Sequence, residues 1–234
     1  MMGTFNHKNG VREDYHVISA NEPSGIIAEQ YRKLRTNIDF STFNEELKVI
    51  NMTSTFAAEG KTVTALNLAT VYAQAEKKTL IIDMDLRKPK IHRAFNIVNA
   101  NGLTDVITKN LSLDKAIVEA EPFLHVLPAG EKMPYPAEFL MSKKLKELVE
   151  KLKETYDKII IDTPPMSAVT DASIVSKLTD GTALVVASRQ TNSDAAESIV
   201  KTLKGNGANI IGAILTRVSR KDHRYLDYYY KYEE

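Results

Sequence analysis

The chain has 234 residues, 43% of them hydrophobic and 26% charged, with 10 glycines and 8 prolines, which suits one well-packed domain and excludes a disordered or collagen-like chain. Lys and Arg number 31 against 30 Asp and Glu, a net charge of +1, so no global field invites nucleic acid. The absence of cysteine removes disulfides, thiolate metal sites and cysteine nucleophiles together. No apolar run approaches the roughly 18 residues of a membrane helix, and Met1 to Tyr15 lacks the apolar centre of a signal peptide. The expectation is a soluble, cytoplasmic protein whose membrane role, if any, needs a partner.

In chain order, residues 1–22 show no periodicity and read as a flexible arm. Ser24–Phe40 follows a helical pattern, with Ile27, Tyr31, Leu34 and Ile38 on one face. Strands are predicted at Lys48–Thr53, Thr79–Met84, Phe123–Leu127, Lys158–Thr163, Thr182–Ser188 and Asn209–Leu215. Most are continuously apolar, as strands covered on both faces should be. Helical patterns fall between them at Thr62–Ala75, Lys143–Tyr156, Asp171–Lys177 and Ser193–Asn206. Alternating strands and helices predict an α/β fold, a mostly parallel central sheet with helices on both faces. One domain, residues 23–219, carries this pattern, and no internal repeat interrupts it.

Residues 220–234 break the pattern. Leu226 is the one aliphatic residue there, yet Tyr225, Tyr228, Tyr229, Tyr230 and Tyr232 make up half of the chain's 10 tyrosines. Such a tail suits either an aromatic oligomer contact or a set of phosphate acceptors. Composition alone does not choose.

A nucleotide site is written into three strand ends. After the first strand the chain reads Thr55-Phe56-Ala57-Ala58-Glu59-Gly60-Lys61-Thr62-Val63 and enters a helix. A loop so placed can aim backbone N–H groups at phosphates, reinforced by the helix N-terminus. Gly60 allows close approach, Lys61 supplies a cation and the Thr62 hydroxyl can ligate Mg2+. Thr55 stands where a P-loop usually has its first glycine, so the Gly-Lys-Thr run alone is also compatible with an ordinary surface turn. Two further strands end in carboxylates, Asp83 with Asp85 and then Asp162. Any one of these could simply cap a helix or form a turn. Together with Lys61 at one sheet edge, where open α/β sheets bind ligands, they describe a P-loop NTPase-like site for ATP and Mg2+.

These motifs resemble those of the bacterial tyrosine kinases (BY-kinases) of capsule and exopolysaccharide synthesis. That family has a P-loop ending E-G-K-[ST], an apolar run before D-x-D-x-R, and a Walker B run before D-x-x-P. They are matched by Glu59 to Thr62, Leu80 to Arg87 and Ile159 to Pro165. Its E-x-x-R-x-x-R helix is matched by Glu29, Arg32 and Arg35, and its tyrosine-rich end by Tyr225 to Tyr232. The resemblance runs from about Pro23 to the end. It implies an autophosphorylating protein-tyrosine kinase of the two-protein type, in which a separate membrane adaptor recruits the kinase to the inner face of the membrane. Asp83 is then the acceptor-side base, Asp85 and Asp162 attend the metal with Thr62, and Arg87 steadies the transferred phosphate. Glu29, Arg32 and Arg35 line contacts in a homo-oligomeric ring, and the tail tyrosines are phosphorylated in trans and cleared by a phosphotyrosine phosphatase. Spacing alone also allows Glu29 with Arg32, or Glu29 with Lys33, as plain intrahelical pairs, and Arg87 as a surface ion pair.

Two departures stand out. Ala57 and Ala58 occupy places where the family usually has Pro-Gly, and alanine resists the positive φ that glycine accepts. Phe56 stands where the related ParA/MinD positioning ATPases carry a signature lysine that reaches across a dimer. That disfavours the alternative reading, a nucleotide-dependent assembly switch without tyrosine phosphorylation.

Overall fold

Strands Val49–Ser54 (β1), Thr79–Asp83 (β2), Val118–Glu121 (β3), Leu124–Leu127 (β4), Lys158–Asp162 (β5), Gly181–Ala187 (β6) and Ile210–Thr216 (β7) join in one sheet. The computed structural model describes residues 17–41 and 46–219. The strand order is β3-β4-β2-β5-β1-β6-β7. Every pairing is parallel except β3 with β4. β1, β2 and β5 are buried at every position because successive side chains enter opposite layers. Ile159 and Ile161 face one core with Leu80 and Ile82, while Ile160 and Ile81 face the other.

The first of these cores packs under helix Lys143–Thr155 through Leu145, Leu148, Val149 and Leu152. The second lies under three helices, Ile18–Asn21 (α1), Ile26–Asp39 (α2) and Lys61–Ala73 (α3). α3 is buried at every residue but Val63, the signature of a helix packed on all sides. It leaves β1 through the P-loop, between β5 and β6. β1 is also where the order of successive strands reverses, the place where open sheets build ligand sites.

The six predicted strands occur within one or two residues of their expected ends. β3 was not predicted. It is a polar edge strand, Val-Glu-Ala-Glu, with an irregular register between Glu119 and Glu121, so no apolar run marks it. Residues 17–21 also correct the boundary of the N-terminal arm at residue 22. Ser19 N donates to Asn67 Oδ1 at 2.8 Å, and Gln74 Nε2 donates to Ser19 O at 2.7 Å. Asn67 of α3 and Gln74 at its end thereby pair both backbone groups of Ser19, and Val17 joins the core. Four residues are too few for a helical period to show. On α2, Ile38 is buried and Tyr31 and Leu34 pack on the core as expected, but Ile27 is 48% exposed and Ala28 takes the buried place.

Candidate active site

The P-loop opens on a cleft of about 490 Å³ lined by Ala57 to Val63, Asp85, Arg87 and Lys88, and by a wall of Pro164, Pro165, Ala168 and Val169. Gly60 sits at φ +89° at the start of α3, a backbone conformation in which a β-carbon would be strained. Ala58 also adopts a left-handed φ, +65°. Lys61 Nζ is 2.6 Å from Asp162 Oδ1 and 3.9 Å from Asp85 Oδ2. Thr62 Oγ1 donates to Asp162 Oδ2 at 2.8 Å. Lys61, Thr62, Asp85 and Asp162 thus converge at the mouth of the loop.

These hard oxygens suit Mg2+, which takes one or two protein oxygens and completes its octahedron with phosphate and water. Among the described residues no group of three His, Cys, Asp or Glu side chains could cage a metal.

Asp83 and Asp85 separate, as two positions at a strand end should. Asp85 lines the cleft. Asp83 is fully buried and turned inward. Its Oδ2 accepts from the backbone N–H of Lys90 at 2.8 Å and of Ile91 at 3.0 Å, and its Oδ1 from that of Asp85 at 3.2 Å. In this arrangement Asp83 organises the loop that carries Asp85. Burial and the neighbouring Asp162 carboxylate raise its pKa to about 7. The Asp85 pKa is raised as well, chiefly by burial, with Lys61 opposing.

Arg87 makes a bidentate pair with Asp171, at 2.9 and 3.0 Å. Asp171 is completely buried, while Arg87 is 40% exposed. The arginine therefore ties the Asp85 loop to helix Asp171–Val175 while still lining the cleft.

Several residues that hold the P-loop were not anticipated. Thr216 Oγ1 donates to Glu59 O at 2.7 Å, and Arg217 Nη2 donates to Ala58 O at 2.5 Å. The Glu59 carboxylate accepts from Phe56 N at 2.9 Å and from the Thr191 hydroxyl. Thr191, Thr216 and Arg217 end or follow β6 and β7, the strands beyond β1, and only the strand order reveals that these ends meet the P-loop. Lys88 and the Pro164–Pro165 wall follow motif carboxylates, and position after a strand end was the available signal.

On α2, Arg32 Nε pairs with Glu29 Oε2 at 2.6 Å and its Nη1 donates to Pro23 O. Arg35 Nη1 donates to Val71 O in α3 at 2.6 Å. The intrahelical pair is thus formed, and Arg35 bonds within its own chain. The tyrosines from Tyr225 to Tyr232 lie outside the described residues.

The AAA domain family matches residues 47–206. The tyrosine-protein kinase YwqD of Bacillus subtilis is 41% identical over 221 residues, covering 94% of this chain and 93% of its own length. A crystal structure of the chimerical protein CapA2B2 superposes with a TM-score of 0.84 at 36% identity, over 87% of this chain and 90% of that one. The kinase domain of Escherichia coli tyrosine kinase ETK gives 0.81 at 30% identity, over 90% and 85%. Septum site-determining protein MinD from Pyrococcus horikoshii, complexed with Mg-ADP, is more distant, at 0.63 and 26% over 74% and 71%. The kinase relatives match over nearly the whole of this chain, with the P-loop and both acidic strand ends inside the matched span, and the chain belongs to the bacterial tyrosine kinases.

Proposed function

We propose that this chain transfers the γ-phosphoryl group of ATP to tyrosines in the 225–232 tail of a neighbouring copy, and thereby regulates capsular or exopolysaccharide synthesis and export. The observation that carries the reading is the convergence of Lys61, Thr62, Asp85 and Asp162 at the end of a strand-to-helix loop. Phosphoryl transfer asks the protein mainly for alignment and charge neutralisation. Lys61 supplies the cation for the β- and γ-phosphates. Thr62 and Asp162, with Asp85 beside them, would hold Mg2+, and bound Mg2+ would supply charge neutralisation on the phosphate oxygens. Asp85 is also the carboxylate that faces the cleft, so it orients the tyrosine hydroxyl, whose pKa near ~10 makes an acceptor of its proton useful.

The remaining partners follow from family resemblance: a membrane adaptor on a separate chain, a ring of copies joined through Glu29, Arg32 and Arg35, other tyrosine substrates and a phosphatase. Among the described residues no helix is long and apolar enough to cross a membrane. Recruitment to the inner membrane face would fall to the adaptor.

Incubation with γ-labelled ATP and Mg2+, followed by phosphotyrosine detection, tests the proposal. Label on tyrosine is the expected outcome. Free phosphate without labelled protein would favour the MinD-like switch instead.

A further inference from the structure

The outer side of the P-loop is held by the chain ends that follow β6 and β7, and a charge lies there that the phosphoryl chemistry does not use. Arg217 follows β7 directly and spans two acceptors, Ala58 O through Nη2 and Gln190 Oε1 through Nη1, each at 2.5 Å. Ala58 has φ +65°, Arg217 itself +54° and Arg189, next to Gln190, +60°. A residue with a β-carbon adopts left-handed backbone less readily than glycine does. Such conformations persist where the surroundings over-determine them.

Here the surroundings are explicit. Arg217 holds the Ala58 carbonyl and Thr216 Oγ1 holds the next one, Glu59 O. A trans peptide places C=O and N–H on opposite sides. Fixing these two carbonyls toward β7 therefore turns the N–H groups of Glu59 and Gly60 the other way, toward the phosphate side of the loop.

We propose that Arg217 is a positioning residue for the nucleotide, a latch that keeps Ala58 left-handed and so aims the loop N–H groups. The arginine does from outside the loop what a glycine at position 58 would do from within. Arg217 lines both the nucleotide cleft and a second cavity of about 280 Å³ bounded by Phe56, Gln190 and Thr191. A direct contact between its guanidinium and the nucleotide is thus the rival explanation that the experiment must separate. The inference requires nucleotide binding at this loop and is indifferent to whether tyrosine is the acceptor.

The test is calorimetric titration of Mg·ADP into the full chain and into Arg217→Ala, Ala58→Gly and the double variant. Arg217→Ala should weaken binding about tenfold, equivalent to ~1.4 kcal/mol. In the Ala58→Gly background the same change should cost less than about threefold, because glycine adopts the left-handed conformation unaided. Gln190→Ala, which removes the latch's other anchor and leaves the guanidinium in place, should weaken binding a few-fold and be relieved by Ala58→Gly as well. Unchanged circular dichroism and melting temperature would show that the variants fold. Equal losses in both backgrounds overturn the latch, since Arg217 would then act on the nucleotide itself. No loss in the Ala58 background overturns it too, since the loop would hold its own conformation. A wild-type chain that binds no Mg·ADP removes the nucleotide site, and the latch falls with it.

Discussion

Replacing Lys61 with Met removes the cation that faces the acidic strand ends. Lys61 is 8% exposed and Asp162 1%, with 2.6 Å between their charged atoms. The Asp85 carboxylate is 3.9 Å from the same ammonium. Removing one partner of a buried ion pair typically costs about 3–5 kcal/mol, because the other charge is left unpaired. Thr62 still donates to Asp162, so about 3 kcal/mol is expected. At ~2–4 °C per kcal/mol for a domain of this size, the melting temperature should fall by roughly 6–12 °C. A domain stabilised by ~5–15 kcal/mol remains folded. The deficit should be largest above neutral pH and shrink toward pH 5, where Asp83, whose pKa is raised to about 7, gains a proton and the cluster loses charge. Autophosphorylation should vanish throughout. Differential scanning fluorimetry from pH 5 to 9, beside a labelled-ATP assay, measures both effects. An unchanged melting temperature at pH 8, or labelling at the wild-type rate, would refute the assignment of Lys61 as the cation of this site.

Three further outcomes are expected. Without nucleotide, wild-type stability should decline between about pH 4 and 7. Asp83 is raised to about 7 in the folded chain, so its contribution is complete below the unfolded pKa and lost as pH rises through the folded one, at up to ~1.4 kcal/mol per pH unit for one proton; denaturant titrations showing rising stability over that window would contradict it. Arg87→Ala leaves the buried Asp171 unpaired and should cost about 2 kcal/mol, less than a fully buried pair because Arg87 is 40% exposed, and Arg87→Lys should recover only part of it, having no bidentate fork; chemical denaturation decides. Arg32→Ala with Arg35→Ala should convert a large oligomer to a smaller species by light scattering, and a persistent ring would show that these arginines serve only their own chain.

The parallel sheet was legible because its central strands are buried on both faces and therefore continuously apolar, as Leu80-Ile81-Ile82 and Ile159-Ile160-Ile161 are. Lys61, Thr62 and Asp162 were legible as well, since Asp162 ends a strand and Lys61 and Thr62 open the helix that follows one, and the sheet brings those ends together. What escaped the sequence depends on three dimensions. Asp83 and Asp85 carry the same chemistry two residues apart, and the backbone N–H groups of Lys90 and Ile91, which capture one carboxylate and leave the other in the cleft, have no side-chain signature. Arg217 is separated from Ala58 by most of the domain, and nothing local marks it as a P-loop neighbour. The polar edge strand β3 and the four-residue α1 lack enough apolar positions to display a period.

α3 joins the chemistry to the proposed assembly face. Lys61 and Thr62 form its first turn, Asn67 and Gln74 hold α1, and the Val71 carbonyl accepts from Arg35 of α2. A helix buried at all but one position cannot shift without repacking the core on every side, and close-packed interiors resist such adjustment. The nucleotide site and the face bearing Glu29, Arg32 and Arg35 therefore belong to one rigid unit. If that face sets the spacing of copies in a ring, it also sets the distance from each tail's origin to the next Asp85. Trans-phosphorylation would then be governed by how the tail crosses a fixed gap. Five phosphotyrosines would add on the order of −8 to −10 charges to that tail and oppose its return to a cleft bordered by Asp85 and Asp162. Phosphorylated copies should thus leave the ring while each folded unit stays as it is. Light scattering on phosphatase-treated and ATP-treated protein should show a large and a small species, with identical far-ultraviolet circular dichroism over the folded domain. Equal masses in both states would break the link between charge and assembly.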